Sequence, residues 1–139
     1  MHMQGIPQSM QNNPIYSHVV SEVKNFLQLR INAAIAAGIS QDRLIIDPGF
    51  GFGKTLTHNL MLLNQLHEFT KFNIPILVGI SRKSMLGAIT GNHVNNRTHE
   101  SIAAALLAVS KGAKIVRVHD VKASKDALAV YTAIQNCSA

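Results

Sequence analysis

A chain of 139 residues that is 47% hydrophobic and 14% charged has room for one core and the balance of a folded domain, which excludes fibrous and disordered classes. A formal charge of +6 and a pI near 9.8 admit an acidic partner, but the 13 lysines and arginines are scattered and only 5% of residues are aromatic, so nucleic acid is not an expected partner. Its single cysteine, Cys137, excludes a disulfide framework, and the lack of a bilayer-length apolar run or a secretory signal pattern predicts a cytoplasmic protein with no membrane partner.

Apolar runs of strand length alternate with helical patterns. Met1 to Gln4 is short and reads as the end of a strand, and Tyr16 to Ala37 follows as a helix closed by Gly38. Leu44 to Ile46 is the second strand, Thr57 to Phe69 the second helix, and Ile76 to Ile80 the third strand. A short helix is predicted at Met85-Leu86-Gly87, and a longer one over Glu100 to Lys111, closed by Gly112. Ile115 to Val118 is the fourth strand, and a last helix starts at Ser124 or Asp126 and runs to about Gln135. Four strand-helix steps in one domain predict parallel strands with right-handed crossovers, and the continuous apolar character of the strands predicts cover on both faces. That pattern fits a doubly wound α/β sheet or part of a (β/α) barrel.

In either fold ligands gather at the carboxyl ends of the strands, and the polar residues fall there. Gln4 follows the first strand, Asp47 the second, and Ser81-Arg82-Lys83-Ser84 the third, while Arg117, His119 and Asp120 sit on the fourth. An ionised Asp47 accepts only, which suits a heterocycle with paired N–H donors; capping of the turn or helix beyond it is the competing role. Arg117 and Lys83 are suited to a phosphate, Arg as a bidentate fork and Lys as a point charge. Arg117 and His119 are two apart on one strand, so their side chains share a side, where His119 could donate to a phosphate oxygen or protonate a leaving group. Ser84 stands before the short helix, whose first N–H groups suit an anion. The other histidines, His2 among them, lack paired ligand spacing and read as mostly surface residues, so no protein-only zinc site is predicted.

The stretch DPGFGFGK, from Asp47 to Lys54, carries the most information. Gly53-Lys54-Thr55 ends like a phosphate-binding P-loop, but Pro48 stands where that loop needs its first glycine. The glycines are spaced by two throughout, which breaks a dinucleotide fingerprint. A loop rich in glycine only for turning is the plain alternative; the neighbouring strand ends argue for a site where backbone approaches a ligand.

HMQG at His2 to Gly5, DPGFGFGK, His58-Asn59, GISRKS at Gly79 to Ser84 and RVHDV at Arg117 to Val121 together resemble the dihydropteroate synthase family, in that family's order along the whole chain. The resemblance implies the C-terminal half of a TIM-type (β/α)8 barrel, about four βα units corresponding to strands 5 to 8, with residues 1–139 forming one partial pterin-binding domain. It implies condensation of 6-hydroxymethyl-7,8-dihydropterin pyrophosphate with p-aminobenzoate, with release of pyrophosphate and Mg2+ held by the phosphates and by a loop outside this chain. Residue by residue, Met1, Asp47, Lys83 and Arg117 would bind the pterin, Phe52, Lys83 and Ser84 the p-aminobenzoate and sulfonamides, and Arg117 and His119 the pyrophosphate. Lys83, Arg117 and His119 would serve catalysis. Half a barrel also implies association, as a homodimer or with the missing N-terminal half. A pterin-binding domain of the methyltransferase kind, and a non-catalytic pterin- or phosphate-binding domain, are the alternatives.

Overall fold

A computed structural model describes residues 1–137. Helix α1 runs over Val19–Ala36, and its buried Val19, Val20, Val23, Leu27 and Ile31 recur at the three- and four-residue spacing that places them on one stripe. It starts three residues later than its pattern predicts, because Tyr16 is held outside the helix by a 2.9 Å hydrogen bond from its hydroxyl to the Gly53 carbonyl. Helix α2, Leu56–Asn64, opens on a capping box between Thr55 and His58. The chain then tightens into a 3-10 helix, Leu66–Phe72, so the predicted single helix through Phe69 is two elements that share the buried Leu62, Leu63, Leu66 and Phe69.

Strand β1 is Leu77–Val78, helix α3 Ser84–Thr90, helix α4 Thr98–Ser110, strand β2 Ile115–Val116 and helix α5 Val121–Gln135. β1 and β2 pair in parallel with Leu77 opposite Ile115 and Val78 opposite Val116. Ile46 makes a parallel bridge to Ile76 on the other side of β1. Beyond it, Met1 to Gln4 is not a regular strand; the His2 N–H donates to the Asp47 carbonyl at 3.0 Å and this bond ties the segment to the row. The order across the row is therefore Met1 to Gln4, Ile46, β1, β2. The predicted strands shrink throughout the row, and its two outer segments have a partner on one side only.

The core lies between this row and the helices. Ile46, Ile76, Val78 and Ile80 face it, packed against Val23 and Leu27 of α1, Leu62 and Phe69, Met85 and Leu86 of α3, and Ala104 and Ala108 of α4. Alternation sends Ile45 the other way, and it is 54% exposed. The expected cover on both faces is thus present on one; the second face of the row is open within this chain. Among the described residues, no helix is long and apolar enough to cross a membrane.

Candidate functional site

The Asp47 to Lys54 loop leaves the row after Ile46 and is built around its own carbonyls. Lys54 Nζ, on a side chain only 4% exposed, donates to the Gly49 carbonyl at 2.8 Å and the Phe52 carbonyl at 3.0 Å. Lys83 Nζ donates to the Phe50 carbonyl, Gln11 Nε2 to that of Gly51, and the Tyr16 hydroxyl to that of Gly53. Five successive carbonyls, from Gly49 to Gly53, thus each accept from a side chain. On the donor side, the Gly49 N–H reaches Asp47 Oδ1 at 2.7 Å, and the Gly51 N–H reaches Asn59 Oδ1 at 2.8 Å. Gly49 and Gly53, both at positive φ, carry no side chain where the carbonyls of His2 and Gln4 press against the loop.

Lys54 also lies 2.9 Å from His2 Nδ1. Burial pulls the Lys54 ammonium down to about 7; the Asp47 carboxylate opposes the shift and Lys83 adds to it. Burial first, then Lys54, pushes His2 down to about 4, so near neutrality its imidazole is uncharged and Nδ1 accepts from Lys54. His2 is therefore an interior residue, its ring edge-on to Phe26 at 4.9 Å between centroids, and not one of the surface histidines. The Lys54 side chain is spent inside the loop, which removes the phosphate-cradling reading of Gly53-Lys54-Thr55.

At the ends of β1 and β2 the register carries on past the strands. Val78 faces Val116, and the residues three further on, Ser81 and His119, meet: Ser81 Oγ lies 2.9 Å from His119 Nδ1 and accepts the His119 backbone N–H at 3.2 Å. One residue later, Arg82 and Asp120 form an ion pair at 2.7 Å, and hydrogen bonding to Arg82 holds the Asp120 carboxyl below its ordinary range. Arg82 has φ of 57°, an uncommon conformation for a residue with a side chain; its N–H is taken by Ser101 Oγ at 2.9 Å and its carbonyl by Arg97 Nη1 at 3.0 Å. These contacts fix the turn from which Lys83 and Ser84 project.

Between the two strand ends opens a cavity of about 400 Å3 lined by Gly79, Ser81, Lys83, Arg117, Val118 and His119. The Arg117 guanidinium lies against Gly79. Burial holds the Lys83 ammonium below the ordinary lysine range, and of its charged neighbours the Asp47 carboxylate pulls it up while Arg117 pushes it down. Lys83 is the link to the loop: its Nζ stands 4.3 Å above the centre of the Phe52 ring, a cation-π contact.

Of the residues singled out from sequence, Lys83, Arg117 and His119 share the cavity, and Phe52 and Asp47 join them through Lys83. Ser84 is exposed at the start of α3, next to Lys83. Met1 stands apart from the cavity, in a groove of about 130 Å3 with Leu27, Arg30, Ile31 and Leu44 to Ile46, and is 54% exposed. Ser81, Asn59, Gln11 and Lys54 were given no role by sequence reasoning; Ser81 and His119 stand equally far beyond the paired Val78 and Val116, a register that only the folded strands set.

The donor set is cationic or neutral wherever the cavity opens. Among the described residues, no group of three or more His, Cys, Asp or Glu side chains could hold a metal ion, so these residues do not fit a resident Mg2+. They fit an anion.

Residues 1–119 match the family described as pterin binding enzyme. The dihydropteroate synthase of Haemophilus influenzae is 53% identical over 136 residues, covering 98% of this chain and 50% of that protein, and that of Neisseria meningitidis serogroup C is 54% identical, covering 96% and 48%. Among solved structures, the dihydropteroate synthase of Stenotrophomonas maltophilia with active site-bound imidazole superposes with a TM-score of 0.96 at 47% identity, over 99% of this chain and 52% of that one. The Yersinia pestis dihydropteroate synthase in a sulfonamide drug complex gives 0.95 at 43% identity, over 98% and 50%. The chain spans about half the length of the curated relatives it matches. With a matched family region that takes in the Asp47 loop, Lys83, Arg117 and His119, the chain belongs to the pterin binding enzyme family.

Proposed function

We propose that this chain supplies the C-terminal half of a dihydropteroate synthase site on half of a TIM-type (β/α)8 barrel, the units of strands 5 to 8, as one partial domain over residues 1–139. The observation that carries the reading is a cavity at neighbouring strand ends lined by three nitrogen donors, Lys83, Arg117 and His119, with the Asp47 carboxylate near enough to Lys83 to raise its pKa. In this reading Asp47 accepts the paired N–H groups of the pterin, Lys83 donates to its ring oxygen, and Arg117 flanks it. In this reading Met1, which lies in a separate groove beside Ile45 in this chain, reaches the pterin pocket once the other half of the barrel closes it. Phe52, the stem of Lys83 and Ser84 hold p-aminobenzoate, the place a sulfonamide would take.

The chemistry joins the amine nitrogen of p-aminobenzoate to the exocyclic methylene carbon of the pterin as its bond to the pyrophosphate oxygen breaks. This chain's part is placement and charge. Arg117 and a ring N–H of His119 meet the charge that builds on the departing pyrophosphate, and Ser81 holds the His119 ring at the angle that presents its other nitrogen to the cavity. Mg2+, if it attends the pyrophosphate, draws its ligands from the substrate and from outside the described residues. The open face of the strand row and its two half-paired edges are covered, in this reading, by the N-terminal half of the barrel or by a second copy.

Calorimetric titration of the pterin pyrophosphate tests the assignment, using the chain joined at its amino end to the first half of the Haemophilus influenzae relative. Saturable binding that Asp47→Asn weakens supports it; binding indifferent to that change refutes it. Pterin binding without product would favour the non-catalytic alternative.

A further inference from the structure

Lys54 is the one charged member of the Asp47 to Lys54 loop that the proposed chemistry leaves without work. It is nearly fully buried, is not among the residues that line the cavity, and donates to Gly49 O, Phe52 O and His2 Nδ1 at 2.8, 3.0 and 2.9 Å. Its ammonium thus bonds to both ends of the Gly49 to Phe52 turn and to the segment that crosses it. The Asp47 backbone is held apart from this tie, its carbonyl by the His2 N–H and its neighbour Ile46 by the bridge to Ile76, while its carboxylate meets the loop at the Gly49 N–H. Phe52 does depend on it. The Phe52 side chain is only half-buried; its carbonyl accepts from Lys54, its N–H donates at 3.2 Å to the Gly49 carbonyl, which Lys54 also holds, and the Lys83 ammonium stands over its ring.

We infer that Lys54 is a positioning residue for the aromatic subsite: it sets the turn so that the Phe52 ring lies under Lys83, while the backbone of Asp47, the proposed pterin acceptor, is fixed separately by the sheet. A buried ammonium suits this task because three donors in tetrahedral array span acceptors that belong to different segments, whereas an apolar residue would leave all three unpaired. His2 is the matching half of the device, an imidazole whose burial keeps it neutral and therefore able to accept. The inference rests on the proposed p-aminobenzoate subsite for its functional meaning, but the placement of Phe52 can be read without any ligand.

The test has two arms. In the chain itself, Lys83 Nζ stands 4.3 Å over the Phe52 ring, so the Lys83 Cε methylene protons beside it are expected upfield in the proton NMR spectrum; Phe52→Leu assigns the effect. Lys54→Met abolishes that shift while the amide signals of Ile76 to Ile80 stay in place. In the joined protein, Lys54→Met weakens p-aminobenzoate binding at least tenfold and pterin binding less than threefold. Where Lys54→Met does not fold, His2→Phe is read instead: it keeps the packing on Phe26, removes one of the three acceptors and gives a partial loss of the ring shift. An unchanged ring shift in the folded Lys54→Met chain overturns the inference, as do equal losses of the two ligands. If the unsubstituted joined protein binds no p-aminobenzoate, the functional reading fails and the ring shift alone decides the role of Lys54.

Discussion

Gly49→Ala, set against Gly91→Ala, measures how closely the first segment is pressed onto the loop. Both glycines sit in the left-handed region, at φ of 75° and 77°, so an alanine carries a similar backbone strain of about 1–2 kcal/mol at either place. At Gly91, the C-cap of α3, a new methyl meets nothing within 4 Å, and that strain is the whole effect. At Gly49 the methyl falls on the His2 carbonyl, which is backbone and cannot swing aside. The chain must then give up the His2 N–H bond to Asp47, about 1 kcal/mol, and draw His2 Nδ1 off the buried Lys54 ammonium, a further 1–3 kcal/mol. Gly49→Ala is therefore expected to lose about 3–6 kcal/mol and Gly91→Ala about 1–2. Urea denaturation followed by circular dichroism gives both values from the shift in midpoint at constant slope. Losses within about 0.5 kcal/mol of each other would refute the close crossing of the two segments.

Three further outcomes are expected. Asp47→Asn in the joined protein lowers pterin affinity by about 1–3 kcal/mol, seen by calorimetry, because an acceptor-only carboxylate becomes a mixed donor and acceptor facing paired N–H groups. Arg117→Ala weakens inorganic pyrophosphate binding at least tenfold and p-aminobenzoate binding little; equal losses would point to damaged folding. Stability of the chain rises with pH from about 4 to 6.5, because the folded His2, pushed down to about 4, binds fewer protons there than the unfolded one; the gain is on the order of 2 kcal/mol. His2→Phe flattens that part of the urea-midpoint profile, and an unchanged profile would remove His2 from the interior.

The order of strands and helices was legible because each core face repeats with its own period, as Val19, Val23, Leu27 and Ile31 do along α1. Helix ends were legible where the capping lies in the neighbouring residues, as at Gly38 and Gly112, and less so where a distant partner sets them: Tyr16 leaves α1 to reach a carbonyl 37 residues away. The rim residues Lys83, Arg117 and His119 could be grouped because strand ends converge in any parallel sheet. Their supports could not, because Ser81–His119 and Arg82–Asp120 are pairs 38 residues apart whose meeting follows from strand register. Lys54 and His2 were hidden for a different reason. A lysine after a glycine-rich turn and an isolated histidine are polar by composition, and only the folded loop, with carbonyls at Gly49 and Phe52 turned inward, makes an interior place for them.

The central claim is that this chain carries half of a working condensation site. Formation of 7,8-dihydropteroate and release of pyrophosphate, followed together in the joined protein with pterin pyrophosphate and p-aminobenzoate, measure it directly. The account predicts stoichiometric product and pyrophosphate, both lost in Arg117→Ala. Pterin binding with no product, or turnover that survives the loss of Arg117 unchanged, would contradict it.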